Sequence, residues 1–151
     1  MEIKKILEMC VQYGASDVHI LVGVPPMLRL HGKLLTVPET KAITPGQADE
    51  LINSLLSEPQ RELLKVDREL DFSYNLPNGA RFRANVYYEK GNAAAALRYI
   101  PATIRTLEDL HLPPIIGELT KMKQGLILVT GPTGHGKSTT LASLINTVNN
   151  L

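Results

Sequence analysis

One stretch of this chain constrains its fold more than any other. Leu126-Ile127-Leu128-Val129, bounded by Gly125 and Gly131, runs straight into Gly131-Pro132-Thr133-Gly134-His135-Gly136-Lys137-Ser138. The apolar run is rich in branched residues and reads as a strand buried on both faces, as in a parallel sheet. The eight residues after it fit the pattern of a glycine, four residues, then Gly-Lys-Ser or Gly-Lys-Thr. Glycines there admit left-handed backbone and let a ligand approach the main chain without a side chain in the way. Successive N–H groups then converge as an anion nest. Lys137 brings an ammonium to the β and γ phosphates of a nucleoside triphosphate, and Ser138 offers a hydroxyl to Mg2+. ATP with Mg2+ is the expected ligand pair. The expected nucleotide-binding residues are Gly131, Pro132, Thr133, Gly134, His135, Gly136, Lys137, Ser138 and Thr139, with Lys137 also the catalytic candidate and Ser138 the metal ligand. A helix is expected to open near Lys137, with Leu141, Ala142, Leu144, Ile145 and Val148 on its apolar face and its positive end toward the anion. His135 stands where a small residue is usual; it reads as a solvated tip, or as a side chain near the phosphates or a subunit contact.

Upstream, the residue pattern describes a separate unit. Ile3, Ile6, Leu7, Cys10 and Val11 mark one helical face that Gly14 stops. Asp17 to Val22 reads as a strand, and Met27–Leu30 with Lys33–Val37 as a hairpin around His31-Gly32. Thr44-Pro45-Gly46-Gln47 and Ser57-Glu58-Pro59-Gln60 are two helix starts, with a capping residue, proline in the first turn and a glutamine that reaches back. The first helix presents Ala48, Leu51, Ile52, Leu55 and Leu56, the second Leu63, Leu64 and Val66. From Leu70 the period becomes two, through Tyr74, Arg81–Tyr87 and Ala95–Ile100, with turns at Pro77-Asn78-Gly79 and Gly91-Asn92. The expected fold class is thus α/β (α+β): an α+β domain over residues 1–100, a linker over 101–112, and a nucleotide-binding unit over 113–151 that begins with a helix over about 114–122.

Composition removes several classes of function. The net charge of +1 gives no field to attract a nucleic acid. The single cysteine, Cys10, forbids an internal disulfide and reads as a buried thiol. Met1-Glu2-Ile3-Lys4-Lys5 opens no signal peptide, and no segment has the roughly 20 apolar residues that cross a bilayer. A cytoplasmic location is expected. His19 and His31 lack a third ligand at usable spacing and read as structural histidines.

Ala15-Ser16-Asp17-Val18-His19-Ile20, Met27-Leu28-Arg29-Leu30-His31-Gly32-Lys33, Gly79-Ala80-Arg81-Phe82-Arg83-Ala84-Asn85 and Gly125 through Gly134 together resemble the type IV pilus retraction motors. These are the PilT-like twitching-motility ATPases of the secretion ATPase superfamily. The resemblance covers the whole chain. It implies a PAS-like amino-terminal domain joined to a RecA-like ATPase domain, with ATP between them, in a homohexamer. It further implies work with the pilus machinery and its inner-membrane platform protein, at the inner face of the cytoplasmic membrane. Serine is usual in that family where this chain has His135. The family's acidic box, second nucleotide motif and histidine box match no residue here, so the RecA-like domain is expected to be truncated and this chain alone to hydrolyse ATP negligibly. The resemblance also points to Arg81, Arg83 and Arg98 as sensors of the nucleotide's terminal phosphates; a solvated face, or an ion pair with Asp71 or Glu69, accounts for them equally well. Asp17 and Arg29 stand as domain-interface residues, or as a turn cap and a surface charge. A pilus-assembly or type II secretion ATPase, and a non-catalytic nucleotide-binding module, are the alternative functions.

Overall fold

The computed structural model describes residues 2–132 and 135–150. It divides into two compact units, Met1–Pro101 and Ala102–Leu151.

In the first unit, helix α1 (Ile3–Gln12) buries Ile3, Ile6, Leu7 and Cys10 and ends where Gly14, at φ 66°, turns the chain. Strands β1 (Asp17–Ile20), β2 (Met27–Leu30) and β3 (Lys33–Thr36) follow. The strand expected to reach Val22 stops at Ile20, and Val22 makes only an isolated parallel bridge to Ile43. β2 and β3 turn on His31 (φ 48°) and Gly32 (φ 81°), the two consecutive left-handed residues that suit the twist of a tight hairpin.

Helix α2 (Pro45–Asn53) starts where Thr44 predicted it. The Gln47 side chain accepts from the Thr44 amide at 3.0 Å, and the Thr44 hydroxyl accepts from the Gln47 amide at 3.4 Å. Helix α3 (Glu58–Asp67) starts with the Gln60 side chain accepting from the Ser57 amide at 2.8 Å. Its expected apolar face is corrected here: Leu64 is buried, but Leu63 is exposed and Val66 is 79% exposed. Leu63 and Leu64 are sequence neighbours, about 100° apart around a helix, so one narrow contact stripe takes only one of them.

β4 (Glu69–Asn75), β5 (Arg81–Glu89) and β6 (Asn92–Ile100) form the meander. All six strands join one sheet in the order β3-β2-β1-β6-β5-β4, every neighbouring pair antiparallel. The central pairing of β1 with β6 brings Asp17 opposite Arg98, so residues 81 positions apart in sequence become neighbours. One face of the sheet carries Val18, Ile20, Leu28, Phe82, Ala84, Val86 and Leu97 into a core shared with α1, α2 and α3. Alternation then places Asp17, His19, Arg29, Arg81, Arg83, Asn85 and Arg98 on the opposite face.

Among its described residues the second unit has two helices, α4 (Pro114–Leu119) and α5 (Lys137–Asn149). α4 ends before the expected residue 122, and the stretch from Thr106 forms a turn, pinned by reciprocal bonds between Thr106 and Asp109 at 3.0 and 3.1 Å. The strand expected at Leu126–Val129 is absent: this segment has no ladder, and Leu126 and Leu128 are 84% and 76% exposed. A parallel strand exists only through its neighbours' hydrogen bonds, and no strand of this unit among the described residues offers them. α5 shows the same consequence. Leu144 is buried, while Leu141, Ile145 and Val148, expected on the apolar face, are about half exposed.

Candidate functional site

The phosphate-loop candidates come together at the start of α5. Gly131 has φ 144° and Gly136 φ 79°, and Gly136 is the residue from which the helix springs. Those angles are why glycine is required there, since a Cβ would be strained in either conformation even though neither would meet a neighbour. Lys137 is the first helical residue, followed by Ser138 and Thr139. The first helical amides have no intrahelical acceptor, and no side chain caps this terminus. Lys137 Nζ donates to the Pro132 carbonyl oxygen at 2.7 Å, so its ammonium lies back across the loop from the helix start. His135 and Gly136 are exposed, and so are Gly131, Pro132, Ser138 and Thr139. Thr133 and Gly134 lie outside the described residues.

Left-handed glycines at both ends of the loop, uncapped amides and one ammonium reaching over them fit a polyphosphate. The Ser138 hydroxyl, exposed in the first turn, fits an oxygen ligand for Mg2+ beside such a phosphate. Among the described residues no group of three or more His, Cys, Asp or Glu lies together as a metal site. His31 is the hairpin turn residue instead.

The arginine candidates occupy the outer face of the six-stranded sheet in the first unit. Arg83 sits directly opposite Arg98 on the neighbouring strand. Arg83 Nη2 meets Asp71 Oδ2 at 3.4 Å, an exposed pair of small energetic value. Arg81 Nη2 donates to the Ser73 hydroxyl at 3.2 Å, and Glu69 accepts from Asn85 rather than from an arginine. Arg98 Nε donates to Asp17 Oδ1 at 2.9 Å.

Asp17 is the residue whose importance the sequence understated. Its side chain is only 11% exposed, and it also meets Arg29 Nε at 3.4 Å and accepts from the Ser16 hydroxyl at 2.8 Å. Burial alone would raise its carboxyl, but the bonds from Ser16 and Arg98, with the charges of Arg98 and His19, outweigh that and hold it below the ordinary range. Arg29 spreads over three partners: Asp17, the Gly32 carbonyl at 3.2 Å through Nη1, and His19 Nε2 at 3.5 Å through Nη2. Burial and the neighbouring Arg29 charge push His19 below its usual value, against the opposing pull of the Asp17 charge. The signal for this cluster was the repeat of charge at positions 17, 29 and 98; what joined them was strand order.

Cys10 is buried, as its helical spacing predicted. Its thiol donates to the Ala15 carbonyl at 3.3 Å, and burial, with the Asp17 charge adding, pushes it up to about 11. It is an inert packing group. No helix among the described residues is long and apolar enough to cross a membrane.

The family model of the type II/IV secretion system proteins matches residues 1–151. The type IV pilus retraction ATPase PilT of Pseudomonas aeruginosa is 37% identical over 150 residues, which cover 99% of this chain and 43% of the relative. A twitching motility protein of Neisseria gonorrhoeae is 42% identical over 126 residues, 82% of this chain and 33% of the relative. The crystal structure of the pilus retraction motor PilT with bound ADP superposes with a TM-score of 0.86 at 41% identity, covering 99% of this chain and 43% of that one. The chain therefore spans about two fifths of the length of PilT. With its whole length matched by one family model and 99% of it aligned with PilT at 37% identity, the chain belongs to the type II/IV secretion system protein family.

Proposed function

We propose that this chain is the nucleotide-loading part of an ATP-driven motor of the type IV pilus system, which retracts pili and so drives twitching motility. The observation that carries the proposal is the loop itself: Gly136 at φ 79° opens α5, and Lys137 lies back across the loop to Pro132. Gly131 through Thr139 hold ATP, the Lys137 ammonium neutralises its β and γ phosphates, and Ser138 ligates Mg2+. The match to a retraction ATPase over 99% of this chain, at 37% identity, supports this role over the others.

In this reading residues 1–100 form a PAS-like domain, 101–112 a linker, and 113–151 the opening strand, phosphate loop and helix of a RecA-like domain. The unpaired Leu126–Val129 segment, with its exposed leucines, supports a strand completed by further sheet. Arg81, Arg83 and Arg98 serve as phosphate sensors. The working protein is a homohexamer at the inner face of the cytoplasmic membrane, acting on the pilus machinery through its inner-membrane platform protein.

The test is steady-state ATP hydrolysis by the intact protein. Lys137→Ala is expected to lower kcat by about a hundredfold or more, the scale of losing a charged group that stabilises a transferring phosphoryl. Turnover unchanged by Lys137→Ala overturns the proposal.

A further inference from the structure

Asn78-Gly79 is the only Asn-Gly pair in the chain, and it lies in the turn between β4 and β5. Both residues are exposed. An asparagine followed by glycine is chemically labile, because glycine has no Cβ to shield its main-chain nitrogen from the carboxamide beside it. That nitrogen can attack the side chain and close a cyclic imide. Whether the two groups meet depends on the backbone around them.

In this turn both reacting groups are already engaged. The Gly79 N–H donates to the Leu76 carbonyl at 2.9 Å, so the nucleophilic nitrogen faces a main-chain oxygen. The Asn78 Oδ1 accepts from the Ala80 N–H at 3.1 Å, so the carboxamide is turned forward along the chain. The Leu76 N–H donates to the Ala80 carbonyl at 2.8 Å and closes the loop. Leu76 is only 3% exposed, which fastens the turn to the core, and Pro77 fixes one further dihedral. Gly79, at φ 86°, takes the left-handed conformation the loop needs.

We propose that Asn78 is a site of spontaneous covalent modification, converted through a succinimide to aspartate and isoaspartate at a rate set by opening of the β4–β5 turn. The Gly79 nitrogen gives its proton to solvent and bonds to Asn78 Cγ. The Cγ–Nδ2 bond breaks, and the amide nitrogen leaves as ammonia. Water then opens the imide at either carbonyl, and nothing is oxidised or reduced. Opening at Cγ gives aspartate, which keeps an Oδ acceptor for the Ala80 N–H. Opening at the main-chain carbonyl gives isoaspartate, whose main chain runs through Cβ and Cγ and is one carbon longer. Leu76 and Ala80 are four positions apart and bonded across the loop, so the longer chain disturbs that closure. The consequence falls on β4, an edge strand that pairs only with β5.

The experiment incubates the intact protein at pH 8, folded and in guanidinium, and follows Asn78 by peptide mapping that separates asparagine, aspartate and isoaspartate. Conversion at Asn78 is expected in both, slower in the folded protein by about tenfold or more, since opening the turn gives up at least one or two of its hydrogen bonds. Pro77→Gly loosens the turn without touching the reacting groups. It is expected to speed conversion in the folded protein by about threefold or more and to leave the rate in guanidinium unchanged. Melting temperature shows that this variant is folded. Asn78→Asp, the aspartate product, is expected to melt close to the parent, while the isoaspartate-containing fraction melts lower. Equal rates in the folded and denatured protein, or no acceleration in folded Pro77→Gly, overturn control by the turn. No conversion at Asn78 in the folded protein over a time about a hundredfold longer than the denatured chain needs, or conversion no faster there than at the other asparagines, overturns the site itself.

Discussion

At the residue scale, Asp17 and His19 give the first unit its acid sensitivity. The Asp17 carboxyl is held below its unfolded value, so its stabilisation is present above that value and disappears as pH falls through the lowered one. His19 is also lowered, from 6.5, so the unfolded chain takes up the proton first and stability starts to fall as pH drops below about 6.5. Both effects act in the same direction but in separate windows. The thermal midpoint of the parent is expected to fall in two stages on acidification. His19→Gln should remove the stage that begins near 6.5 and leave the one below the ordinary carboxylate range. A pH series of melting curves checks this, and an unchanged first stage in His19→Gln contradicts it. None of this was legible in order along the chain. Asp17 and Arg98 each look like unremarkable strand charges until β1 is placed beside β6.

At the element scale, what could be read was what is local. α2 announces itself in four consecutive residues, and Thr44 and Gln47 meet as their spacing requires. Removing the Thr44 hydroxyl by Thr44→Ala is expected to cost about 1 kcal/mol of unfolding free energy, the usual value of a helix cap. The β2–β3 turn was likewise visible, because His31-Gly32 supplies two left-handed residues in a row. What failed was what depends on partners. Leu63 and Val66 carry the right residue types for a core face, yet Leu64 is the one residue of α3 that is fully buried. Val66→Ser should therefore change stability by no more than about 0.5 kcal/mol, the ordinary range for an exposed site. A chemical denaturation series on both variants checks the pair; a larger loss at Val66 than at Thr44 would show that α3 buries more than Leu64. Leu126–Val129 fails for the same reason. Its composition states a preference for strand, but a ladder belongs to two segments, and the described residues of this unit offer it no partner.

At the scale of the whole molecule, the two units carry different chemistry. The first is a layered α+β body, with helices on one sheet face and an arginine-bearing surface on the other. The second offers a phosphate loop at a helix start. The glycines at 131 and 136 were legible because the backbone there takes positive φ, a conformation that strongly favours glycine. The arginine face was legible as residues but not as a network, since strand order decides which carboxylate each guanidinium finds. The claim on which the rest depends is that the loop captures a nucleoside triphosphate. The most direct test is equilibrium titration of a fluorescent ATP analogue, with Mg2+, into the intact protein and into Lys137→Ala. Saturable binding that excess ATP competes away, weakened by about tenfold or more in Lys137→Ala, is the predicted result. No saturable binding by the parent, or equal affinity in both proteins, would contradict it.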